Sequence, residues 1–177
     1  KTGIDLQGEV NSRNEILRNG SDFGFATASF GQGIEMTPIQ LVSAFSVFAN
    51  GGKMVKPYIV EKIVQGQKET ITKPQISGEI FTPLVASQVS SMLTNVVEHG
   101  FGDGAKIKGY YLAGKTGTAE VSLENGKGYY KDKTVQSFIG FGPSLKPEFL
   151  ILVKLDDPKV SRSALSAVPI FKKLSQY

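Results

Sequence analysis

The 177-residue sequence contains no cysteine and a single histidine, and these absences exclude several kinds of site. Without cysteine the chain has no disulfide, no thiol nucleophile and no zinc bound through cysteine. Any histidine metal cluster or Ser/His/Asp triad depends on His99 alone, which is predicted to lie at a helix C-terminus where an imidazole meets free carbonyl groups. We therefore predict that the chain holds no metal ion and no cofactor.

Long apolar runs and long basic runs are missing as well. The longest apolar candidate, residues 149–155, is interrupted by Lys154 and is far shorter than the roughly 18 residues that a membrane span needs. The net charge of +4 is spread out, with no basic run longer than Lys172-Lys173, so we predict no nucleic-acid partner. With 40% hydrophobic residues, the chain is expected to be one soluble domain. It begins at Lys1 without an initiator Met or signal segment, which favours a piece of a longer protein.

Two helices have clear start and stop signals. Thr37-Pro38 begins the first, predicted over Pro38–Ala49, and Asn50-Gly51-Gly52 ends it. Thr82-Pro83 begins the second, which runs to Gly100 and has an apolar stripe that we expect to face the core: Val85, Val89, Met92 and Val96. Residues 1–33 are rich in Gly, Asn and Ser, and predict a long irregular connection.

The strand signals come mostly later in the chain. Residues 58–65 and 68–73 predict a hairpin around Gly66, and residues 110–121, 135–142 and 148–155 predict three strands, the last two antiparallel neighbours. Residues 163–174 predict a closing helix that Pro169 kinks or starts late. Helices, then strands, then a helix indicate an α+β fold with an antiparallel sheet of about three strands.

Residues 109–116 match the P-loop pattern of nucleotide-binding proteins, and residues 149–156 resemble the strand that would hold magnesium. A P-loop, however, follows an apolar strand and starts a helix at its lysine. Here the preceding residues make a poor buried strand, and Gly117 stands where a helix would have to start. The nucleotide-binding interpretation is therefore the less favoured one.

Interpreted as a strand, the same segment presents Lys115, Thr116, Gly117 and Thr118, the K-T-G-T pattern of serine acyl-transfer enzymes. The Lys115 ammonium would maintain a serine network in its working protonation state and attract a carboxylate, to which the threonine hydroxyls would donate. Gly117 would leave the cleft open, and the Thr118 N–H would form half of an oxyanion hole. The pattern alone is weak, since Lys1-Thr2-Gly3 repeats it, and a surface strand rich in threonine fits equally well.

Short motifs extend this pattern over nearly the whole chain: residues 2–9, 29–33, 37–41, 49–52, 109–119, 137–143 and 167–171. In content and order they resemble class B penicillin-binding proteins, the D,D-transpeptidases that cross-link peptidoglycan. The resemblance implies a five-stranded sheet between helices, of which this chain supplies three strands. One departure is Ser161-Arg162-Ser163-Ala164, where the family usually has a glycine pair.

The resemblance also implies that the chain is a partial domain, residues 1–177. The family's S-x-x-K, which contains the nucleophile, and its S-x-N precede this region. No S-x-x-K occurs in residues 1–177, and Ser12-Arg13-Asn14 spells S-x-N only by coincidence. We therefore expect no nucleophile in this chain and no activity of the chain alone.

For the parent protein the resemblance implies acylation of a serine by a stem peptide ending in D-Ala-D-Ala, followed by attack of a second stem peptide, with β-lactams trapped at the first step. It implies a place at the outer face of the bacterial membrane, in cell division or cell shape. Because the partial sheet leaves an apolar face and an edge, we expect the upstream half or a second copy as partner. A non-catalytic wall-binding or β-lactam sensor module of the same fold is the alternative.

Overall fold

The computed structural model describes residues 1–12, 14–124 and 128–177, which form two compact units, Lys1–Pro83 and Leu84–Tyr177. Arg13, the middle of the Ser12 to Asn14 triplet, lies outside the described residues. Within the described ranges, no helix is long and apolar enough to cross a membrane. In the same part of the chain, no three Asp, Glu or His side chains gather in a group that would hold a metal ion.

The prediction of an irregular connection over residues 1–33 is wrong, because two helices lie there. They are α1 (Glu15–Arg18) and α2 (Asp22–Ser29). Ser21 caps α2, with its hydroxyl accepting a hydrogen bond from the N–H of Gly24 at 3.0 Å. A Cβ on Gly24 would lie 2.6 Å from the side chain of Ile16. The glycine therefore permits close packing of α1 on α2 and does not mark a loop.

The helix α3 occupies Pro38–Ala49, as predicted at both ends. The Thr37 hydroxyl accepts a hydrogen bond from the N–H of Gln40 at 3.3 Å, and the Gln40 side chain accepts one from the N–H of Thr37 at 2.9 Å. This reciprocal cap satisfies two backbone donors that the first turn leaves without partners, and Pro38 has no N–H to satisfy. Ser43 and Val47 form its buried side.

Four short strands complete the first unit: β1 (Lys53–Val55), β2 (Lys62–Gln65), β3 (Lys68–Ile71) and β4 (Ile76–Glu79). The predicted hairpin is confirmed as β2–β3, with Gly66 at a φ of +62° in the turn. The pairing of β1 with β4, in which Lys53 lies opposite Glu79, was not predicted. Strands of three and four residues joined over such a distance leave no periodic signal in the sequence.

The loop that begins the first unit is fastened by two carboxylates. Glu9 accepts hydrogen bonds from the hydroxyl of Thr2 at 2.6 Å and from the N–H of Gly3 at 3.1 Å. Asp5 accepts from the N–H groups of Ile59 and Val60, both at 2.8 Å. These backbone donors, first that of Val60, hold the pKa of Asp5 below its ordinary value of 3.8, and the Thr2 hydroxyl lowers the pKa of Glu9.

We expect the contribution of Asp5 to stability to vanish in acid. Because the folded-state pKa is lowered, the stabilisation is fully present above the unfolded value of about 3.9 and is lost as pH falls through the folded value. An NMR titration of the Asp5 carboxyl carbon in this chain should give a midpoint below 3.8. The Asp5→Asn variant should depend less on pH between about 2 and 5. A midpoint at or above the unfolded value would show that the two backbone hydrogen bonds do not form.

The second unit contains the predicted sheet. Its elements are α4 (Pro83–His99), a 3-10 turn (Asp103–Ala105), β5 (Ala113–Ser122), β6 (Tyr129–Gly142), β7 (Phe149–Asp156), a second 3-10 turn (Ser163–Leu165) and α5 (Ala167–Leu174). The strands are antiparallel, in the order β5-β6-β7. The α+β class and the three-stranded antiparallel sheet are confirmed. The late helix start is confirmed too, since Pro169 falls in the first turn of α5, where a missing N–H costs no hydrogen bond.

One face of this sheet packs on α5. Phe138 in β6 and Phe171 in α5 are fully buried, and their ring centroids lie 4.7 Å apart. The same cluster contains further buried side chains from α4, the connections, β7 and α5: Val97, Ala105, Leu112, Val153, Ala167 and Val168. The core of the second unit therefore lies between α5 and the middle of the sheet.

The predicted core stripe of α4 is wrong by one residue. The buried side chains are Ala86, Leu93 and Val97, whereas Met92 is 68% exposed. The two stripes have the same spacing and differ by about 100° around the helix. Hydrophobicity alone favoured the larger side chains, but the packed face includes the small Ala86 and the polar Ser90, whose hydroxyl donates to the Ala86 carbonyl at 2.9 Å.

Candidate functional site

The four residues of the K-T-G-T pattern lie in the middle of β5, which is an edge strand of the sheet. β5 runs without interruption through Lys115, so no helix begins there. The N-terminal end of a helix, which surrounds phosphates in a P-loop, is thus replaced by extended backbone. The local structure contradicts the nucleotide-binding interpretation.

The strand separates the four side chains between the two faces of the sheet. Thr116 lies opposite the buried Phe138, and Thr118 lies opposite the buried Gln136, so both threonines share the face that packs on α5. Lys115 and Gly117 are on the other face, opposite Ile139 and Ser137. The pattern therefore forms one edge with a lysine on one side and two hydroxyls on the other.

Lys115 is exposed at this edge, and its ammonium group donates to the carbonyl oxygen of Thr116 at 2.9 Å. Among the described residues, no carboxylate lies within ion-pair distance of its Nζ. The side chain thus folds back along the strand edge, and its positive charge is not neutralised by this part of the chain.

The absence of a side chain at Gly117 has a structural reason in addition to the open cleft that was predicted. A Cβ at this position would lie 2.5 Å from the hydroxyl oxygen of Ser137, the residue opposite it on β6. Contacts of this length essentially do not occur, so a side chain here would force the Ser137 hydroxyl to rotate away. The glycine keeps the edge flat and leaves room for the Ser137 hydroxyl.

Thr118 contacts the segment that follows β7. Its Oγ1 lies 3.3 Å from the hydroxyl oxygen of Ser163, and the N–H of Ser163 points to the same Oγ1 at 3.5 Å. Ser163 is only 2% exposed and begins the second 3-10 turn. The predicted substrate-binding hydroxyl is therefore held by a residue 45 positions later in the chain.

Gln136 was missed by the sequence analysis. Its side chain is fully buried, its Oε1 accepts from the Ser166 hydroxyl at 2.5 Å, and its Nε2 donates to the carbonyl of Val160 at 2.6 Å and to the Thr134 hydroxyl at 3.0 Å. All its polar atoms have partners, as a buried amide requires. The sequence offers only a weak signal for it, because β6 also contains the polar residues Thr134 and Ser137, and the strand pattern alone does not show which polar side chain is buried in a network.

Comparison with known proteins gives one family. Residues 1–176 match the model of the penicillin-binding protein transpeptidase domain. The chain is 38% identical over 162 residues to stage V sporulation protein D of Bacillus subtilis, covering 90% of this chain and 25% of that protein. It is 34% identical over 179 residues to the peptidoglycan D,D-transpeptidase FtsI of Buchnera aphidicola subsp. Baizongia pistaciae, covering 99% of this chain and 30% of that protein. The chain thus spans a quarter to a third of these relatives.

Solved structures agree with the sequence relatives. Penicillin-binding protein 3 of Mycobacterium tuberculosis in its apo form superposes with a TM-score of 0.90 at 28% identity, covering 99% of this chain and 42% of that one. Its complex with aztreonam gives a TM-score of 0.89. The resemblance drawn from the motifs is confirmed, and the chain belongs to the penicillin-binding protein transpeptidase family.

Proposed function

We propose that this chain forms one wall of the active site of a serine D,D-transpeptidase that cross-links peptidoglycan stem peptides. The observation that carries the proposal is the position of Lys115, Thr116, Gly117 and Thr118 on the free edge of β5 in a chain of this family. A free strand edge can bind an extended peptide through backbone hydrogen bonds. The end of a stem peptide is a substrate of this shape.

Each residue of the pattern has a role in this function. Lys115, whose side chain folds along the strand edge between the two faces, keeps a serine network in its working protonation state. From that edge it attracts the carboxylate of the substrate, to which the hydroxyls of Thr116 and Thr118 donate. The N–H of Thr118 is one donor of the oxyanion hole. The Lys115 ammonium contacts the Thr116 carbonyl, which we infer to point to the free edge of β5. Because the backbone groups of alternate strand residues point to the same side, the Thr118 N–H points to this edge as well.

The nucleophile lies outside these residues. No S-x-x-K occurs in the sequence, and the wall residues stabilise an acyl-enzyme without being able to form one. In the parent, serine attack on the stem peptide would release the terminal D-Ala, and the amine of a second stem peptide would then release the enzyme. A β-lactam would stop at the first of these steps. The chain alone is inactive.

The remaining part of the domain is the expected partner of this chain. Phe23, Phe25 and Phe30 are between 50% and 75% exposed, and within the described part of the chain β7 has a partner strand on one side only. Apolar surface and an open strand edge of this kind favour association. We expect the upstream half of the domain to cover them, with self-association in its absence. The parent would act at the outer face of the bacterial membrane.

A test of this function uses the protein encoded with the residues that precede Lys1. It should release the terminal alanine from a peptide ending in D-Ala-D-Ala, and should not release the terminal alanine from the same peptide ending in D-Ala-L-Ala. Thr116→Val should lower kcat/KM at least about 10-fold, because a hydrogen bond to a charged group contributes about 1.5–3 kcal/mol. Thr70→Val, in the exposed β3, is the matched control and should not change it.

Equal turnover of both peptides would show that the protein is not a D,D-specific acyltransferase. Binding of a β-lactam or of peptidoglycan without turnover would favour a sensor or wall-binding module of the same fold.

A further inference from the structure

The segment between β7 and α5 crosses the sheet. β5 and β7 are its opposite edges, with β6 between them, yet Ser163 from this segment contacts Thr118 on β5. The contact is made on the face that carries Thr116, Phe138 and α5. The connection after the last strand therefore reaches back to the strand that holds the K-T-G-T pattern.

Gln136 fixes the position of this segment at two points. It lies directly opposite Thr118 on β6, and its amide binds the carbonyl of Val160 on one side of Ser163 and the hydroxyl of Ser166 on the other. Because Gln136 is fully buried, these hydrogen bonds are not exchanged for water without a large penalty. Ser163 is thus held beside Thr118 by the sheet itself.

The direction of the hydrogen bonds determines whether the Thr118 hydroxyl can still donate its proton to a ligand. The N–H of Ser163 can only donate, so Thr118 Oγ1 is its acceptor. When the Ser163 hydroxyl donates to Oγ1 as well, the hydroxyl proton of Thr118 is free to point away from Ser163. A hydroxyl that accepts in this way is oriented before an anion arrives.

We propose that Ser163 is a positioning residue that orients the Thr118 hydroxyl toward the carboxylate of the substrate or of a β-lactam. This role rests on the proposed function, in which Thr118 donates to that carboxylate. A glycine at 163 would keep the backbone donor and lose the hydroxyl.

The test measures the second-order rate of acylation in the protein encoded with the residues before Lys1, using a penicillin and its methyl ester. Ser163→Ala should lower the rate with the penicillin about 3- to 10-fold, as expected for the loss of one neutral hydrogen bond. It should leave the rate with the ester unchanged, because the ester has no carboxylate for Thr118 to bind. Ser163→Gly should behave in the same way. Ser175→Ala, which removes a hydroxyl of the same unit that donates to the Phe171 carbonyl, should change neither rate.

A double-mutant cycle separates positioning from packing. In a Thr118→Val background, Ser163→Ala should have no further effect on the penicillin rate. Equal losses with penicillin and ester, or undiminished losses in that background, would show a purely structural role and overturn the proposal, as would no loss at all. A wild-type protein that is not acylated by the penicillin would instead overturn the proposed function and this role with it.

Discussion

Replacement of Lys115 by alanine is expected to lower the rate of acylation by a penicillin at least about 100-fold in the protein that includes the upstream residues. Two contributions are lost together. Lys115 keeps a serine network in its working protonation state, which alone contributes about 10²–10⁴-fold, and its charge attracts the carboxylate of the substrate. The measurement is the second-order rate constant from the time course of the covalent adduct. The free energy of unfolding should change little, since Lys115 is exposed and its ammonium group contacts a neighbouring carbonyl.

Lys154→Ala is the matched control for this variant. Register and strand alternation place Lys154 on the same face of the sheet, on the opposite edge strand, where it pairs with Asp156. It removes the same charge and should leave acylation within about 2-fold of the wild type, because an exposed ion pair contributes little. If the two variants lose activity equally, the effect of Lys115 is general electrostatics and not a position in the site.

Replacement of Phe138 by alanine is expected to destabilise the second unit by about 3–5 kcal/mol, enough to unfold it in many proteins of this size. Phe138 is fully buried and packs against the tilted ring of Phe171, and its own ring fills the space above Gly114, where a Cβ would lie 2.5 Å away. The truncation removes the centre of the core and leaves a cavity between α5 and the sheet. Denaturant unfolding followed by circular dichroism measures the loss.

Phe101→Ala is the control for the core variant. This phenylalanine belongs to the same unit but is 74% exposed, so its removal should change the free energy of unfolding by no more than about 0.5 kcal/mol. A loss of similar size in both variants would mean that the core does not lie between α5 and the sheet.

Local signals made a large part of the fold predictable. α3 has a proline at its first position and a reciprocal cap, and its bounds were predicted to the residue. The end of β6 and most of β7 are apolar and are joined by a short turn, so the antiparallel pairing of these strands followed from the sequence. In both cases a few neighbouring residues determine the structure.

Other elements depend on packing that a single segment does not reveal. α2 contains Gly24, which has low helix propensity but fits against Ile16. The stripe of α4 was placed one residue too early because a small alanine, fully buried at position 86, carries a weaker hydrophobic signal than Val85. For the helical position of Gly24 and for the buried stripe of α4, tertiary packing outweighed the local preference of the sequence.

The residues of the candidate site also fall into two groups, those that local sequence predicts and those that depend on packing. Lys115 to Thr118 were identified from their spelling and from the matching motifs that surround them along the chain, because both are local properties of the sequence. The contact of Ser163 with Thr118 spans 45 residues and the contact of Gln136 with Val160 spans 24, so neither residue was identified as part of the site. Residues that support a site from a distant segment become visible only after folding.

The most direct test of the claim that this chain supplies a wall of the active site, and the preceding residues the nucleophile, is the intact mass of the protein after incubation with a penicillin. The 177-residue chain alone should show no covalent adduct. The protein that includes the preceding residues should gain one penicillin, on a serine outside residues 1–177. An adduct on the chain alone would place the nucleophile among its own serines and contradict the assignment of this chain as a wall of the site.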